Sequence, residues 1–238
     1  MTNTATDVAQ ARAARLAGAM FLFINATGIF SEIVVRASLL RGDVTQVAQN
    51  ILGSERMYRL SIVGDLVMLT GGLVLIWALY VLLRPVNRDL ALLAVFLRIV
   101  ETAVTAAGTL ASLIAVRLLS GAKYLNVFEA GELHALSRLA GNVFGFGQDV
   151  GFIFFASGST LFAYLLLRSR YIPRILAGWG VFASLLFAAY NLVIIVFPSL
   201  VETLMYVSFA PIGIYEIVLG FWLLLKGAKI QRRVAGAA

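Results

Sequence analysis

Residues 89–119 read DLALLAVFLRIVETAVTAAGTLASLIAVRLL, a nearly unbroken apolar stretch that contains Arg98 and Glu101. A helix rises about 1.5 Å per residue, so about twenty apolar residues are enough to cross the hydrocarbon core of a bilayer. A guanidinium and a carboxylate one turn apart are costly in hydrocarbon unless protein or water surrounds them. The stretch therefore predicts a transmembrane helix that packs inside a bundle of further helices.

The composition of the whole chain supports a membrane protein and excludes several kinds of site. Hydrophobic residues make up 61% of the 238 residues and charged residues 13%, against roughly 25% charged in an ordinary soluble domain. The chain has no cysteine and one histidine. Disulfides, thiolate nucleophiles, cysteine-bound metals, bis-histidine haem and three-histidine zinc centres within one chain are thereby excluded. We expect no cofactor and no metal.

The apolar residues fall into blocks that predict an all-α, polytopic bundle of six transmembrane helices. We expect a flexible tail over residues 1–11, one six-helix domain over 12–233, and a second tail over 234–238. Two shorter helices are also predicted at the membrane surface. One follows the N-cap residue Asp43 and ends near Gly53, and the other covers residues 131–139. The predicted spans are residues 16–35, 57–83, 89–119, 139–167, 175–197 and 201–225.

The distribution of basic residues predicts the orientation of the bundle. Six spans place both termini on one side, which carries eleven Lys and Arg side chains: Arg12, Arg15, Arg84, Arg88, Arg168, Arg170, Arg174, Lys226, Lys229, Arg232 and Arg233. The opposite side carries seven: Arg36, Arg41, Arg56, Arg59, Arg117, Lys123 and Arg138. Basic residues are enriched in cytoplasmic loops, so we predict that both termini are cytoplasmic. Orientation thus explains the net charge of +7, and we expect no binding to nucleic acid.

A reporter fusion tests this orientation. An enzyme or fluorescent protein that is active only in the cytoplasm and is fused after Ala238 should be active, because the C-terminus is predicted to face the cytoplasm. A fusion in the loop between the first and second spans is the matched control and should be silent. Activity of the loop fusion together with silence of the fusion after Ala238 would overturn the predicted topology.

Three polar residues are predicted to lie near the middle of the membrane. Asn25, Arg98 and Glu216 each lie ten residues from a predicted cytoplasmic basic residue, which places them about 15 Å into a core about 30 Å thick. An isolated charge at that depth is costly. We therefore predict a buried ion-pair network in which Arg98 pairs with Glu216 and has Glu101 as its second partner.

A second polar layer is predicted about 25–28 Å from the cytoplasmic side. Glu32 and Arg36 have the i,i+4 spacing of a helical ion pair, whereas Asp65 and Asp149 have no evident local partner. If these two carboxylates converge, a cation or polar ligand could lie between them. The alternative is that each accepts a hydrogen bond from a neighbouring helix. The candidate ligand-binding residues are Glu32, Asp65, Gln148, Asp149 and Asn191.

Other polar features favour structural interpretations. His134 lies near Glu129 and Glu132, but a lone solvated loop histidine is favoured over a surface metal site. Gly141 and Gly145 are of the type that permits close contact between helices. The sequence contains no evident nucleophile–base pair, so a non-enzymatic role is favoured and no residue is assigned a catalytic function.

Four segments resemble a known family. They are RLAG at residues 15–18, LYVLLRPVNRDLALLAVFLRIVE at 79–101, FGFGQDVGFIFFASG at 144–158 and LLLRSRYIPRILAGWG at 165–180. With these segments the chain is similar to the prokaryotic integral-membrane family called domain of unknown function 4386. The resemblance implies a multi-pass helical bundle in a prokaryotic cell membrane, which in bacteria with two membranes is the inner one. It implies no activity and assigns no functional residue.

The sequence is compatible with three kinds of function. The first is binding of a small molecule or lipid headgroup in a polar intramembrane cavity that opens outward. The second is a small proton-coupled transporter in which Asp65 and Asp149 carry protons. The third is a structural or assembly partner in the membrane. Binding is favoured, and the lipid bilayer is the one partner that the sequence indicates directly. The sequence does not indicate the oligomeric state of the protein.

Overall fold

The computed structural model describes residues 2–230 and the side chains of residues 7–230. It is all-α, with no strand among the described residues. In the part of the chain that the structure describes, six segments are long and apolar enough to cross a membrane: Asp7–Leu39, Glu55–Leu83, Arg88–Leu119, Ala130–Ser169, Arg174–Val196 and Pro198–Leu225. The predicted all-α bundle with six spans is therefore confirmed.

Seven α-helices form the framework of residues 2–230, and the first continues beyond its α-helical part. The segment Ile29–Arg36 is a π-helix, and one α-helical turn follows it at Ala37–Leu39. Short 3₁₀ turns lie at Lys123–Leu125 and Pro198–Leu200. The α-helices are α1 Thr2–Gly28, α2 Val44–Gly53, α3 Glu55–Leu83, α4 Arg88–Leu119, α5 Ala130–Ser169, α6 Arg174–Val196 and α7 Val201–Leu225.

Local sequence explains several helix starts. The Asp43 carboxylate accepts a hydrogen bond from the Gln46 backbone N–H at 2.8 Å, so α2 has the predicted N-cap. The Asn87 side-chain oxygen does the same for Leu90 at the start of α4, at 3.0 Å. At the start of α5, the Glu132 carboxylate accepts from the Glu129 backbone N–H at 2.8 Å. Each bond satisfies a backbone donor that the helix itself leaves free.

Two expectations about helix ends differ from the structure. Helix α1 begins at Thr2, within the predicted tail 1–11, and Gln10 is buried, donating to the Leu82 carbonyl and the Tyr171 hydroxyl at 2.9 and 3.1 Å. The short surface helix predicted at 131–139 is not separate, because α5 runs without interruption from Ala130 to Ser169. No proline interrupts this stretch, and its glycines are tolerated inside a long helix. The predicted tail 234–238 lies outside the described residues.

The described chain divides into two compact units. The terminal unit consists of the described residues up to Asn25, Gly71–Glu101 and the described residues from Phe152 onward. Its apolar core includes Phe187 and Tyr190, against which the partly buried Phe152 and Phe155 and the 39% exposed Phe209 pack.

Helices α1 and α7 come close together within the terminal unit. A Cβ atom added at Gly18 would meet the backbone of α7 at Leu224 and would lie 2.7 Å from the Gly220 carbonyl oxygen. Gly18 belongs to the RLAG segment at the start of the predicted first span. The absence of a side chain at Gly18 therefore permits backbone-to-backbone packing of these two helices.

The central unit consists of Ala26–Thr70 and Thr102–Gly151. Its small core contains Val47 and Ile51 of α2, Tyr58 and Ile62 of α3 and Val116 of α4. The amphipathic helix α2 therefore packs its apolar face on the unit that holds most of the predicted outer polar layer.

Candidate functional site

The central unit contains a polar cluster around the buried Arg36, which we call the Arg36 cluster: Glu32, Arg36, Asp65, Phe144 and Gln148. Arg36 donates two hydrogen bonds to the Asp65 carboxylate, of which the Nη1–Oδ1 bond is 3.0 Å long. It also pairs with Glu32 at 2.5 Å, and its guanidinium lies 4.3 Å from the centre of the Phe144 ring. Gln148 lies beside the Glu32 carboxylate. Arg36 and Asp65 are only 3% and 2% exposed.

The direction of helical side chains explains this cluster. Gly28 faces Met68, and Gly64 faces Ser31, so the first span and α3 are antiparallel here. Side chains lean toward the N-terminus of their own helix. The long Arg36 side chain therefore extends back along the first span, and Asp65 leans toward it from the opposite direction.

These contacts test the predictions for the outer layer. The predicted Glu32–Arg36 pair is present. Asp65, for which the sequence showed no evident local partner, pairs with Arg36 of the first span, because the reach and direction of the arginine side chain bring together residues that counting along a helix placed at different depths. Asp149 is half-buried on α5 of the same unit. Asn191 belongs to the terminal unit, where it is fully buried and donates to the Phe187 carbonyl at 2.7 Å. Its role in ligand binding stays a prediction.

The central unit also contains a cavity of about 160 Å³, which is partly open to the surface and which we call the Arg138 cavity. One wall is apolar and is formed by Val44, Val47, Ala48 and Ile51 of α2. Tyr58 of α3 also lines it and is 2% exposed. The remaining lining residues are Leu40, Ala115, His134, Ser137, Arg138, Gly141 and Asn142.

Helix α5 forms the polar wall of the Arg138 cavity. His134, Ser137, Arg138 and Asn142 follow the i, i+3, i+4, i+8 spacing of one helical face. Ser137 donates to the Ala115 carbonyl at 3.0 Å, which fixes its hydroxyl at the wall. None of the five candidate ligand-binding residues belongs to the lining of this cavity.

The predicted site residues do not include these cavity residues, for a specific reason. His134 was predicted to lie in a solvated loop, whereas it lies on α5 and lines the cavity. Extending the helical periodicity of α5 back to Ala130 would have brought His134, Ser137 and Arg138 onto one face. Within the described residues, no group of three His, Cys, Asp or Glu side chains is arranged to hold a metal ion.

The terminal unit holds the other predicted polar group. Arg98 pairs with Glu101, with 3.5 Å between Nε and Oε2, donates to the Ser159 hydroxyl at 3.0 Å, and lies 4.1 Å from the Phe155 ring centre. The Asn25 amide donates to the Glu216 carboxylate at 3.2 Å. Arg98 and Glu216 both line a cavity of about 20 Å³. The structure thus brings together the three residues predicted at one depth and pairs Arg98 with Glu101, while the direct Arg98–Glu216 ion pair stays a prediction.

A double-mutant experiment tests that ion pair. Arg98→Ala should lower the free energy of unfolding by about 3–5 kcal/mol, because it leaves buried carboxylates without their cation. Adding Glu216→Gln should recover part of this loss, as measured by thermal unfolding of the purified protein in maltoside detergent. Unchanged thermal stability of the single Glu216→Gln variant would rule out the pair.

Comparison with known proteins gives a family but no activity. A search of curated proteins and a search of solved structures found no match to the chain. The family model described as domain of unknown function (DUF4386) matches residues 16–227, which include all six apolar spans except the N-terminal part of the first. With most of its length matched and the helical membrane fold described above, the chain belongs to the DUF4386 family.

Proposed function

We propose that this integral membrane protein binds a small amphiphilic molecule in the Arg138 cavity. The observation that carries the proposal is the two-sided lining of that cavity, with the apolar face of α2 opposite the polar face of α5. Pockets for small ligands are mostly apolar, with a few polar groups that fix orientation. A lipid headgroup with the first part of its chain, or a free amphiphile of similar size, matches both walls.

The predicted topology determines at which side of the membrane the cavity lies. If both termini are cytoplasmic, the loop before α2 and the start of α5 lie at the outer end of the bundle. The ligand would then enter from the outer leaflet or from the outside of the cell. We propose the cell membrane of a prokaryote, the inner one where there are two, as the location.

Native mass spectrometry of the gently purified protein tests the proposal. The wild type should retain a small molecule, and Gly141→Leu should lose it. A Cβ added at Gly141 meets no atom within 4 Å, so the leucine would occupy the cavity without a clash at its base. Gly145→Leu is the matched control, because Gly145 is equally open, lies one turn further along α5 and does not line the cavity. Equal retention by both variants, or an empty wild type, would contradict the proposal.

The proton-coupled transporter is the second candidate, and the structure favours it less. Asp65 is held in a bidentate ion pair with Arg36, which does not suit a carboxylate that must load and release protons. Asp149 is half-buried and remains available for such a role. Proton-linked uptake into vesicles that disappears in Asp149→Asn would favour transport, whereas ligand retention without flux would favour binding. A wild type that retains no small molecule, together with unchanged thermal stability of Gly141→Leu, would favour an assembly role.

A further inference from the structure

We propose that the polar end of this ligand is an oxyanion, of the phosphate or carboxylate type, held by Arg138 and His134. The inference rests on the proposed function, because it specifies the class of amphiphile that the Arg138 cavity accepts. It concerns residues outside the candidate set that the sequence suggested.

The polar wall of the cavity carries a positive charge. Arg138 carries a permanent positive charge, and His134 adds a second nitrogen-based polar group one turn away. The described residues that line the cavity include no aspartate or glutamate. A cation or a positively charged headgroup would therefore meet an arginine without a compensating carboxylate, and an anion would meet the complementary charge.

Arg138 is available to a ligand. Arg36, Arg59 and Arg98 each pair with a carboxylate. Within residues 7–230, by contrast, neither Arg138 nor His134 forms an ion pair or a side-chain hydrogen bond with the protein. Both are partly buried at the cavity. A partly buried guanidinium with free donors is well suited to a bidentate contact with phosphate or carboxylate oxygens.

The apolar wall of the cavity indicates the chemistry of the rest of the ligand. The four α2 side chains opposite this polar face are aliphatic, and Val47, Ala48 and Ile51 are at most 3% exposed. Contact with this wall rewards a methylene chain or another apolar group next to the anion. The two walls together select an anionic amphiphile over a fully hydrophilic anion and over a neutral lipid.

Binding of short-chain lipids to the full-length protein in maltoside detergent tests the inference. Dihexanoyl phosphatidic acid, dihexanoyl phosphatidylcholine and inorganic phosphate would each be titrated by isothermal calorimetry below the micelle concentration of the lipid. We expect the phosphatidic acid to bind at least about tenfold more tightly than the phosphatidylcholine, because its phosphomonoester carries more negative charge and has no choline cation beside it to compete with the arginine. Arg138→Gln should remove this preference, and Arg138→Lys should retain part of it.

Two controls keep the outcomes separate. Arg117→Gln changes a cation of the same unit that lies over the Tyr124 ring and does not line the cavity, and it should leave both affinities unchanged. Gly141→Leu should abolish binding of both lipids. Folding of each variant is checked by thermal unfolding, and His134→Gln provides a second variant should Arg138→Gln fail to fold.

Each result has one meaning. Equal affinity for both lipids that Arg138→Gln leaves unchanged, or an unchanged preference in Arg138→Gln, would overturn the oxyanion inference while the amphiphile proposal survives. Binding of neither lipid would overturn both. Inorganic phosphate that binds as tightly as phosphatidic acid would support the oxyanion site, identify a free anion as its source and overturn the amphiphile proposal. Weak phosphate binding beside tight phosphatidic acid binding would support a lipid headgroup as the source.

Discussion

Replacing Arg36 by glutamine should lower the free energy of unfolding by about 3–5 kcal/mol, the range typical of breaking a buried ion pair by removing one partner. Arg36 is 3% exposed and contacts two carboxylates, those of Glu32 and Asp65. Glutamine leaves the Asp65 carboxylate, which is 2% exposed, without its cation in a nonpolar environment. The measurement is thermal or sodium dodecyl sulfate-induced unfolding in detergent, followed by circular dichroism.

A surface pair provides the matched control for this prediction. Arg59 pairs with Glu55 at 2.7 Å, and their side chains are 47% and 39% exposed. Arg59→Gln should therefore change stability by only about 0–1 kcal/mol. The double variant Arg36→Met/Asp65→Leu should recover most of the stability, since apolar residues of similar volume often replace a buried pair without loss. A similar small effect of Arg36→Gln and Arg59→Gln would show that the Arg36 cluster does not stabilise the fold.

Gly18→Ala should destabilise the protein by about 1–3 kcal/mol, the usual cost of inserting an extra carbon into a well-packed core. The new Cβ would meet the backbone of α7 at Leu224 and at the Gly220 carbonyl oxygen, 2.7 Å away. Backbone atoms cannot rotate aside as a flexible side chain can, so α1 and α7 would have to separate. The readout is the midpoint of thermal unfolding in detergent.

The opposite sign is expected for a second glycine of the terminal unit. A Cβ added at Gly178 of α6 meets no atom within 4 Å. Gly178→Ala should therefore stabilise the helix by about 0.5–1 kcal/mol, because alanine loses less conformational entropy than glycine in a helix interior. Destabilisation of equal size in both variants would mean that the close approach at Gly18 has no special role.

Gly18 and Gly178 both lie in segments that resemble the family, yet their replacement by alanine is expected to have opposite effects on stability. Gly18 occupies RLAG at 15–18, and Gly178 occupies LLLRSRYIPRILAGWG at 165–180. The structure gives a packing reason for the first and none for the second. A family motif in this protein is therefore not a guide to function by itself, and the cavity and charge arguments carry the proposals.

The sequence by itself determined the fold class, the six spans and the turns that separate them. These features depend on hydropathy and on caps such as Asp43, which act over a few residues and can be counted along the chain. It also determined the Glu32–Arg36 pair, because i,i+4 spacing is a property of one helix. The family followed from segments spread over most of the chain.

Only the tertiary structure decided which residues meet across helices. The Arg36–Asp65 pair depends on the antiparallel packing of two spans and on side chains that lean toward each other, which residue counting does not show. The Arg138 cavity depends on the continuity of α5 through residues 130–142 and on the packing of α2 against the central unit. Periodicity states which face of a helix is polar, but the rotation and the partner of that face are set by packing with the other helices.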